Sequence, residues 1–359
     1  MREGKQRPLA LVTGAAGLVG SAIVRARLRR GLPTRGLVRS GRPTTSLHGL
    51  GVELYEGDVL APETLDAAMR GVEVVFHTAT YFAYGRPADG ALEALAVDGA
   101  ANVLRAAAGA GVRRVVLTSS SVVFGYGDEP VVLDETAEPD EGSEGAYVTS
   151  KIRQDRAAGA LAAQLGLEIV FACPTLVIGP HPLTLGPSNG IITSYLADPM
   201  RLTFGGGCNL VGADDVGEGH QRLAERGVDG EHYVLGAENL TWPETHTLIA
   251  DLAGVARPSL KLDPAGAYAA AVAAEFQAKL TGRAPITTRE QARMAGRYYW
   301  YSPAKAERLG FAPGPIRPVL AATIADLAAG PHVSRETRAG MRLSPEVWAA
   351  RSRALETHA

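Results

Sequence analysis

The run Leu9-Ala10-Leu11-Val12 passes without a break into Thr13-Gly14-Ala15-Ala16-Gly17-Leu18-Val19-Gly20. Few strings restrict a fold as tightly. A short apolar run ending in glycines is the pattern of a parallel strand buried on both faces. Beyond it, Leu18, Ala22 and Ala26, with Val19 and Ile23 beside them, recur at helical spacing. Strand, glycine turn and helix in that order open a unit whose turn cradles a pyrophosphate. Gly14 permits the tight turn, Gly17 lets backbone approach the phosphates, and Gly20 allows close packing of helix on strand. The N-terminus of the helix, with Ala16, Leu18 and Val19 around it, offers free N–H groups and a favourable dipole to the anion.

The rest of the first half keeps the same alternation. Buried-strand segments are expected at Arg35–Val38, Val52–Tyr55, Val72–Phe76, Val115–Thr118 and Glu168–Ala172. Helices are expected at Pro62–Met69, Ala91–Ala110 and Ala146–Leu165. Alternation over about 170 residues predicts an α/β fold, a Rossmann-type doubly wound parallel sheet. After Pro174 the pattern changes. Gly179-Pro180-His181-Pro182 and Gly205-Gly206-Gly207 are loop signals, His232–Leu235 reads as one more strand, and Thr241–Gly254 as a capped helix. An alanine-rich stretch from Asp263 to Leu280 reads as helix. The expected organisation is a dinucleotide-binding domain over 1–175, with the chain returning to it around 209–236. A smaller, mostly helical substrate cap follows over 176–331, and 332–359 forms a C-terminal tail, either a surface helix or loose.

Composition removes several classes. The 36 Lys+Arg against 38 Asp+Glu leave a net charge of -2, so no nucleic-acid footprint is expected. Two cysteines, Cys173 and Cys208, and eight scattered histidines show no metal-ligand spacing. A polar start, Met1 to Arg7, and no apolar stretch approaching about 20 residues predict a cytoplasmic chain without a membrane span.

Two further features carry chemistry. An acidic residue at the end of the second strand would suit a ribose 2′-hydroxyl, whereas arginine suits a 2′-phosphate. Gly36-Leu37-Val38-Arg39-Ser40 puts Arg39 there, with Arg42 close behind. NADP(H) is therefore favoured, with NAD(H) possible. Tyr147 and Lys151 stand four residues apart, so phenol and ammonium share one helix face. An ammonium beside a phenol favours the phenolate. A serine from the Ser119-Ser120-Ser121 run could bind the same substrate oxygen, and such a trio moves a proton on or off an alcohol or carbonyl.

These residues, in this order, resemble the extended short-chain dehydrogenase/reductases, the NAD-dependent epimerase/dehydratase family. The resemblance is carried by the glycine turn, Gly57-Asp58-Val59, Phe76-His77-Thr78-Ala79, Thr118-Ser119-Ser120, Tyr147-x-x-x-Lys151 and Cys173-Pro174-x-x-x-Ile178-Gly179-Pro180. Within the superfamily the chain is similar to the dihydroflavonol-reductase and 3β-hydroxysteroid-dehydrogenase branch. It is also similar to hopanoid-associated epimerase-like proteins, through Asn209–Val216, Tyr233–Thr241 and Tyr301–Phe311. The resemblance implies that Tyr147 is the acid/base, that Lys151 lowers its pKa and binds the nicotinamide ribose, and that Ser120, ahead of Ser119, binds the reacting oxygen. It places Asp58 and Val59 at the adenine, Ala79 and Thr80 on the channel to the nicotinamide, and Pro174 and Ile178 beside the nicotinamide ring. It also implies a homodimer through the fourth and fifth helices.

Two positions depart from that pattern. Ala96 stands where many relatives carry an asparagine, while Asn102 is retained as a tie between helix and strand. The stretch Gly207-Cys208-Asn209-Leu210 lacks the cation that nucleotide-sugar enzymes use for a diphosphate, and Arg201 is the nearest one. The expected activity is hydride transfer to a carbonyl of a small apolar or aromatic substrate, with Tyr147 as proton donor. A substrate site is expected near Tyr81, Phe82, Tyr84, Thr175, Leu183, Asn189 and Ile192. A sugar epimerase or dehydratase with tightly held NAD is the first alternative, and a non-catalytic dinucleotide-binding protein the second.

Overall fold

The computed structural model describes residues 7–79, 91–139, 146–180, 185–282, 287 and 289–358. The first half runs β1 (Ala10–Thr13), α1 (Leu18–Arg29), β2 (Thr34–Val38), β3 (Glu53–Glu56), α2 (Asp66–Met69), β4 (Val74–His77), α3 (Ala91–Gly109), β5 (Arg114–Thr118), α4 (Ala146–Leu165) and β6 (Glu168–Pro174). Then come β7 (Leu176–Ile178), α5 (Pro187–Ala197), β8 (Leu202–Phe204), β9 (Gly207–Gly212), α6 (Ala213–Arg226), β10 (His232–Leu235), β11 (Glu238–Thr241) and α7 (Trp242–Ala253). The chain ends with β12 (Leu260–Leu262), α8 (Pro264–Thr281), α9 (Arg289–Ala292), β13 (Tyr298–Tyr299), α10 (Ala304–Glu307), α11 (Ile316–Ala329), α12 (Arg335–Gly340) and α13 (Pro345–His358).

Seven parallel strands form the main sheet in the order β3-β2-β1-β4-β5-β6-β10. The order reverses between β1 and β4, and a crevice opens beyond the carboxyl ends of strands at such a point. Leu11, Val12, Phe76, Val115, Val116 and Phe171 are buried, as strands covered on both faces require. Helices α1 and α6 pair on one face, and α3 and α4 pair on the other. The α1–α6 contact depends on Gly217, where an added Cβ would sit 2.5 Å from the Ala22 carbonyl oxygen. Gly217→Ala should therefore cost about 1–3 kcal/mol by pushing the helices apart. Chemical denaturation reads this, and an unchanged midpoint would show that the crossing has slack.

One expectation is corrected here. The predicted Pro62–Met69 helix is broken into a 3-10 turn at Pro62–Thr64 and the short α2. The C-terminal half is mostly helical, and strands lie between its helices. It carries a four-stranded sheet, β11-β9-β13 with β7 on β9, and a β8–β12 pair. These strands are two to six residues long, too short for a periodic signal. β9 belongs to that small sheet, so within 209–236 it is α6 and β10 that rejoin the main sheet. The last segment is not loose: α13 packs on α11, Val347 is fully buried, and Arg342 and Ser344 donate backbone hydrogen bonds to the Ala253 and Leu252 carbonyls at 2.9 Å each.

Candidate active site

The glycine turn sits at the switch point. Gly14 has φ +66, a left-handed conformation that suits glycine, and an added Cβ would lie 3.0 Å from the Ala79 backbone. At Gly20 an added Cβ would fall 2.2 Å from the Gly14 carbonyl oxygen, so α1 can sit on the turn only with glycine there. The ends of β1 and β4 are stapled together. Thr78 Oγ1 donates to the Thr13 carbonyl at 2.7 Å, and the Ala79 N–H donates to Thr13 Oγ1 at 3.3 Å. Gly17 caps α1 without a side-chain hydrogen bond, and no acid lies in the first turn. An anion therefore finds the helix N-terminus unblocked.

A cavity of about 930 Å³ extends from this turn across the carboxyl ends of the strands. Gly14, Ala16, Gly17, Leu18 and Val19 line its first end, with Arg39, Asp58, Val59 and Ala79. Arg39 is exposed, and neither it nor Arg42 has an ion pair among the described residues. The loop after β3 is held by Asn102, whose Nδ2 donates to the Val59 carbonyl at 3.0 Å. The cradle, the free helix end and the two cations fit a dinucleotide.

Ser120, Tyr147 and Lys151 all line the middle of the same cavity. Tyr147 and Lys151 come from successive turns of α4, and Ser120 from the loop after β5. The Ser120 hydroxyl hydrogen-bonds the Tyr147 phenol. Ser119 does not compete for that role, because its hydroxyl donates to the buried carboxylate of Asp155, which also meets His232 Nε2 at 3.2 Å. Lys151 is buried, and its Nζ donates to the Thr118 carbonyl at 3.1 Å and to Gln154 Oε1 at 2.9 Å. Gln154 Nε2 in turn donates to the Ala96 carbonyl at 3.1 Å. The backbone of α3 at Ala96 is thus tied to the lysine through a glutamine.

The electrostatics differ from the expected phenolate. Burial pushes the Tyr147 phenol above its ordinary value, the Ser120 hydrogen bond opposes this, and Asp155 adds to the rise. Burial also pushes Lys151 down to about 8, against the pull of Asp155. In the structure as it stands the phenol is protonated, the form that a proton donor to a carbonyl requires.

Several expected contacts move. Ile178 lies in the core, 1% exposed, and Leu176 and Val177 line the cavity beside Pro174 instead. β7 pairs along β9, and at its end the Ile178 side chain is buried in the core. Ile192 is likewise core, and Ile191 faces the cavity. Asn189 lines the wall, but its Nδ2 donates to the Gly179 carbonyl at 2.8 Å and its Oδ1 accepts from the Gly179 N–H at 3.4 Å. Thr175 lines the wall while donating to Asn209 Oδ1 at 2.8 Å. Thr80, Tyr81, Phe82, Tyr84 and Leu183 lie outside the described residues. Arg201 does not line the cavity; its Nη1 donates to the Tyr195 and Leu196 carbonyls at 2.5 and 2.9 Å.

The far end of the cavity was not legible beforehand. Its walls are Tyr195, Phe204, Trp242, His246, Met294 and Tyr299, with Tyr301 below. His246 stacks on Tyr195 with ring centroids 4.7 Å apart, and the Tyr301 hydroxyl donates to the Gly125 carbonyl at 2.6 Å. Asp198 is the one charged residue among the described lining of this end, and it caps the Met200 and Leu202 N–H groups. No group of three or more metal-ligating side chains occurs among the described residues. The site can hold a dinucleotide along the strand ends, present a proton from Tyr147, and enclose an apolar molecule beyond it.

Residues 10–236 match the family described as NAD dependent epimerase/dehydratase. A Synechocystis sp. protein described provisionally as a dihydroflavonol 4-reductase is 30% identical over 316 residues, 86% of this chain and 92% of the relative. Cinnamoyl-CoA reductase 1 of Oryza sativa subsp. japonica is 34% identical over 236 residues, 62% of this chain and 69% of the relative. Among solved structures, that of gox2253 superposes with a TM-score of 0.80 at 32% identity, covering 91% of this chain and 100% of that one. A family match over more than half the chain, with reductases among the relatives, marks an NAD(P)-dependent oxidoreductase. With its glycine cradle at the switch point and Ser120, Tyr147 and Lys151 in one cavity, the chain belongs to the NAD-dependent epimerase/dehydratase family, the extended short-chain dehydrogenase/reductases.

Proposed function

We propose that the protein is an NADP(H)-dependent reductase of a carbonyl on an apolar or aromatic molecule. The observation that carries this reading is the far end of the cavity, which is aromatic and contains no lysine or arginine among its described residues. A nucleotide-sugar diphosphate needs a cation there, and the nearest candidate, Arg201, is spent on backbone carbonyls.

When bound, the nicotinamide supplies or accepts the hydride. The chain's own residues do the rest. Ser120 and Tyr147 hydrogen-bond the substrate oxygen, and the Tyr147 hydroxyl passes its proton to that oxygen as negative charge develops on it. Lys151, held by Thr118 and Gln154, keeps a positive charge close to the phenol and favours the phenolate that is left behind. The aromatic walls exclude water and orient the apolar body. A homodimer across the outer face of α3 and α4 belongs to the same reading, supported by a shallow groove there lined by Val97, Ala101, Ala160 and Leu161.

The test is to denature freshly purified protein and identify any released nucleotide by chromatography and mass. Protein that arrives empty and then binds NADPH more tightly than NADH supports an exchanging reductase. One NAD retained per chain points to an epimerase or dehydratase that never releases it. Cofactor choice has its own test at Arg39. Arg39→Asp removes the cation offered to the 2′-phosphate, so the NADPH/NADH ratio of kcat/KM should fall by about tenfold or more. A ratio that does not move would put the selection elsewhere.

A further inference from the structure

Helix α8 carries its charged side chains, Glu275 and Lys279, only near its C-terminal end. Its inner side is buried through Ala267, Ala271 and Ala274, and Ala267 and Ala270 line the far end of the cavity. On its outer side Tyr268, Val272, Phe276 and Leu280 follow one another at intervals of four, so they form a single stripe. Their exposures are 38, 44, 63 and 72%. Ala265, Ala269 and Ala273 are exposed beside them, leaving Gln277 and Lys279 as the polar side chains that interrupt this side. Leu260, on the strand leading into the helix, is 50% exposed as well. A helix apolar on its outer as well as its inner side is ordinarily covered on both, and a contiguous exposed patch of this kind marks an interaction surface.

Charge decides what covers it. Lys261, Lys279 and Arg293 are exposed around the stripe and have no ion pair among the described residues. The acids nearby do not cancel them: Glu275 pairs with Arg289 at 2.7 Å, while Asp263 keeps its charge as the N-cap that accepts the Gly266 N–H at 2.7 Å. A second copy placed on the same face would set these cations against their own equivalents. An anionic surface complements them, and apolar side chains among cations are the pattern of a helix lying in a lipid interface. No helix among the described residues is long and apolar enough to cross a membrane, so the contact is docking and not spanning.

We propose that the outer face of α8 docks on an anionic lipid surface, so that an apolar substrate reaches the cavity behind the same helix from the bilayer. The route of the substrate rests on the reductase reading; the docking rests on the stripe and its charges alone.

Flotation of the full chain with phosphatidylcholine vesicles, with and without phosphatidylserine, tests it. The protein should float with the phosphatidylserine vesicles, less so as salt rises. Phe276→Ser combined with Leu280→Ser should weaken that binding by about tenfold or more. Both side chains are mostly exposed, so the thermal melt and NADPH binding of the double variant should match the parent. Trp348→Ser, at an exposed apolar side chain on α13, should leave flotation unchanged. A parent protein that stays with the aqueous fraction overturns the proposal, as does flotation that survives the double substitution. A dimer that the double substitution dissolves assigns the face to a second copy and overturns it too. Intact flotation in a protein that reduces no carbonyl would remove the reductase reading and leave the docking in place.

Discussion

Tyr147→Phe is expected to lower carbonyl reduction by about 10²–10⁴-fold, the range that a positioned general acid contributes. The reason is local. The hydroxyl is the group on α4 that meets Ser120 at the middle of the cavity, and burial keeps it protonated until the substrate oxygen needs the proton. NADPH affinity should stay within a few fold, because the cradle at Gly14–Gly20 and Arg39 stands apart from the phenol. A KM-against-kcat split reads this: the loss belongs in kcat, since the proton is delivered only in the transition state. Undiminished turnover in this variant would end the assignment of Tyr147 as proton donor.

Acid should unfold the protein well before ordinary carboxylates titrate. Three buried histidines are held neutral: burial pushes His77 down to about 3 and His220 and His246 down to about 4. His220 shows how. Its Nδ1 donates to the Val216 carbonyl at 2.8 Å, so its Nε2 is the unprotonated nitrogen that accepts from Thr118 Oγ1 at 2.9 Å. A second proton would force that bond to reverse and would place a charge where burial disfavours it. The sign follows from the depressed pKa values. Above the unfolded-chain value near ~6.5 neither state binds the extra protons, and the stability is fully present. As pH falls from there toward about 3 to 4, the unfolded chain takes up protons that the folded one refuses. Each group then costs about 1.4 kcal/mol per pH unit, or about 4 kcal/mol per unit for the three together. A domain with about 5–15 kcal/mol to lose should therefore unfold near pH ~5. Thermal melts across pH would show a plateau above ~7 and a steep fall below ~6. A flat profile down to pH ~4.5 would mean that these rings gain partners when protonated. His246→Gln should make the fall shallower by about a third if the three sites act independently.

The two halves of the chain were unequally legible. Strands buried on both faces write themselves as apolar runs, and β1, β2, β5, β6 and β10 fell within a residue or two of their expected places. The glycines at 14 and 20 were readable because each answers a steric demand, a left-handed φ of +66 at Gly14 and, at Gly20, a Cβ site 2.2 Å from the Gly14 carbonyl oxygen. α7 was readable from its ends, where Thr241 and Glu244 form a capping box and Gly254 takes φ +63. Beyond Pro174 the strands are short, some carry glycine, and their partners are distant: Gly207 pairs with Thr241 and with Tyr298. No local pattern encodes such a pairing. The C-terminal segment looked charged because its outward side is charged, while the residues that dock it, Val347, Ala350 and Met341, are too few to make a period.

By itself the sequence determined the strand-turn-helix that cradles a dinucleotide and the tyrosine and lysine on one helix face. It also determined the cation after the second strand. Each of these is set by neighbours within a few residues, through backbone sterics, helical spacing or strand-end position. Only the tertiary structure decided which serine meets the phenol and which side chains of β7 turn inward. It likewise brought together the aromatic walls of the cavity, from α5, α7 and β13. These depend on contacts between segments up to about a hundred residues apart, such as Asn209 with Tyr301 and Ser119 with Asp155. The protonation of Tyr147 belongs to the same group. A neighbouring ammonium can be read from spacing, but the burial that raises the phenol exists only once the chain has closed around it.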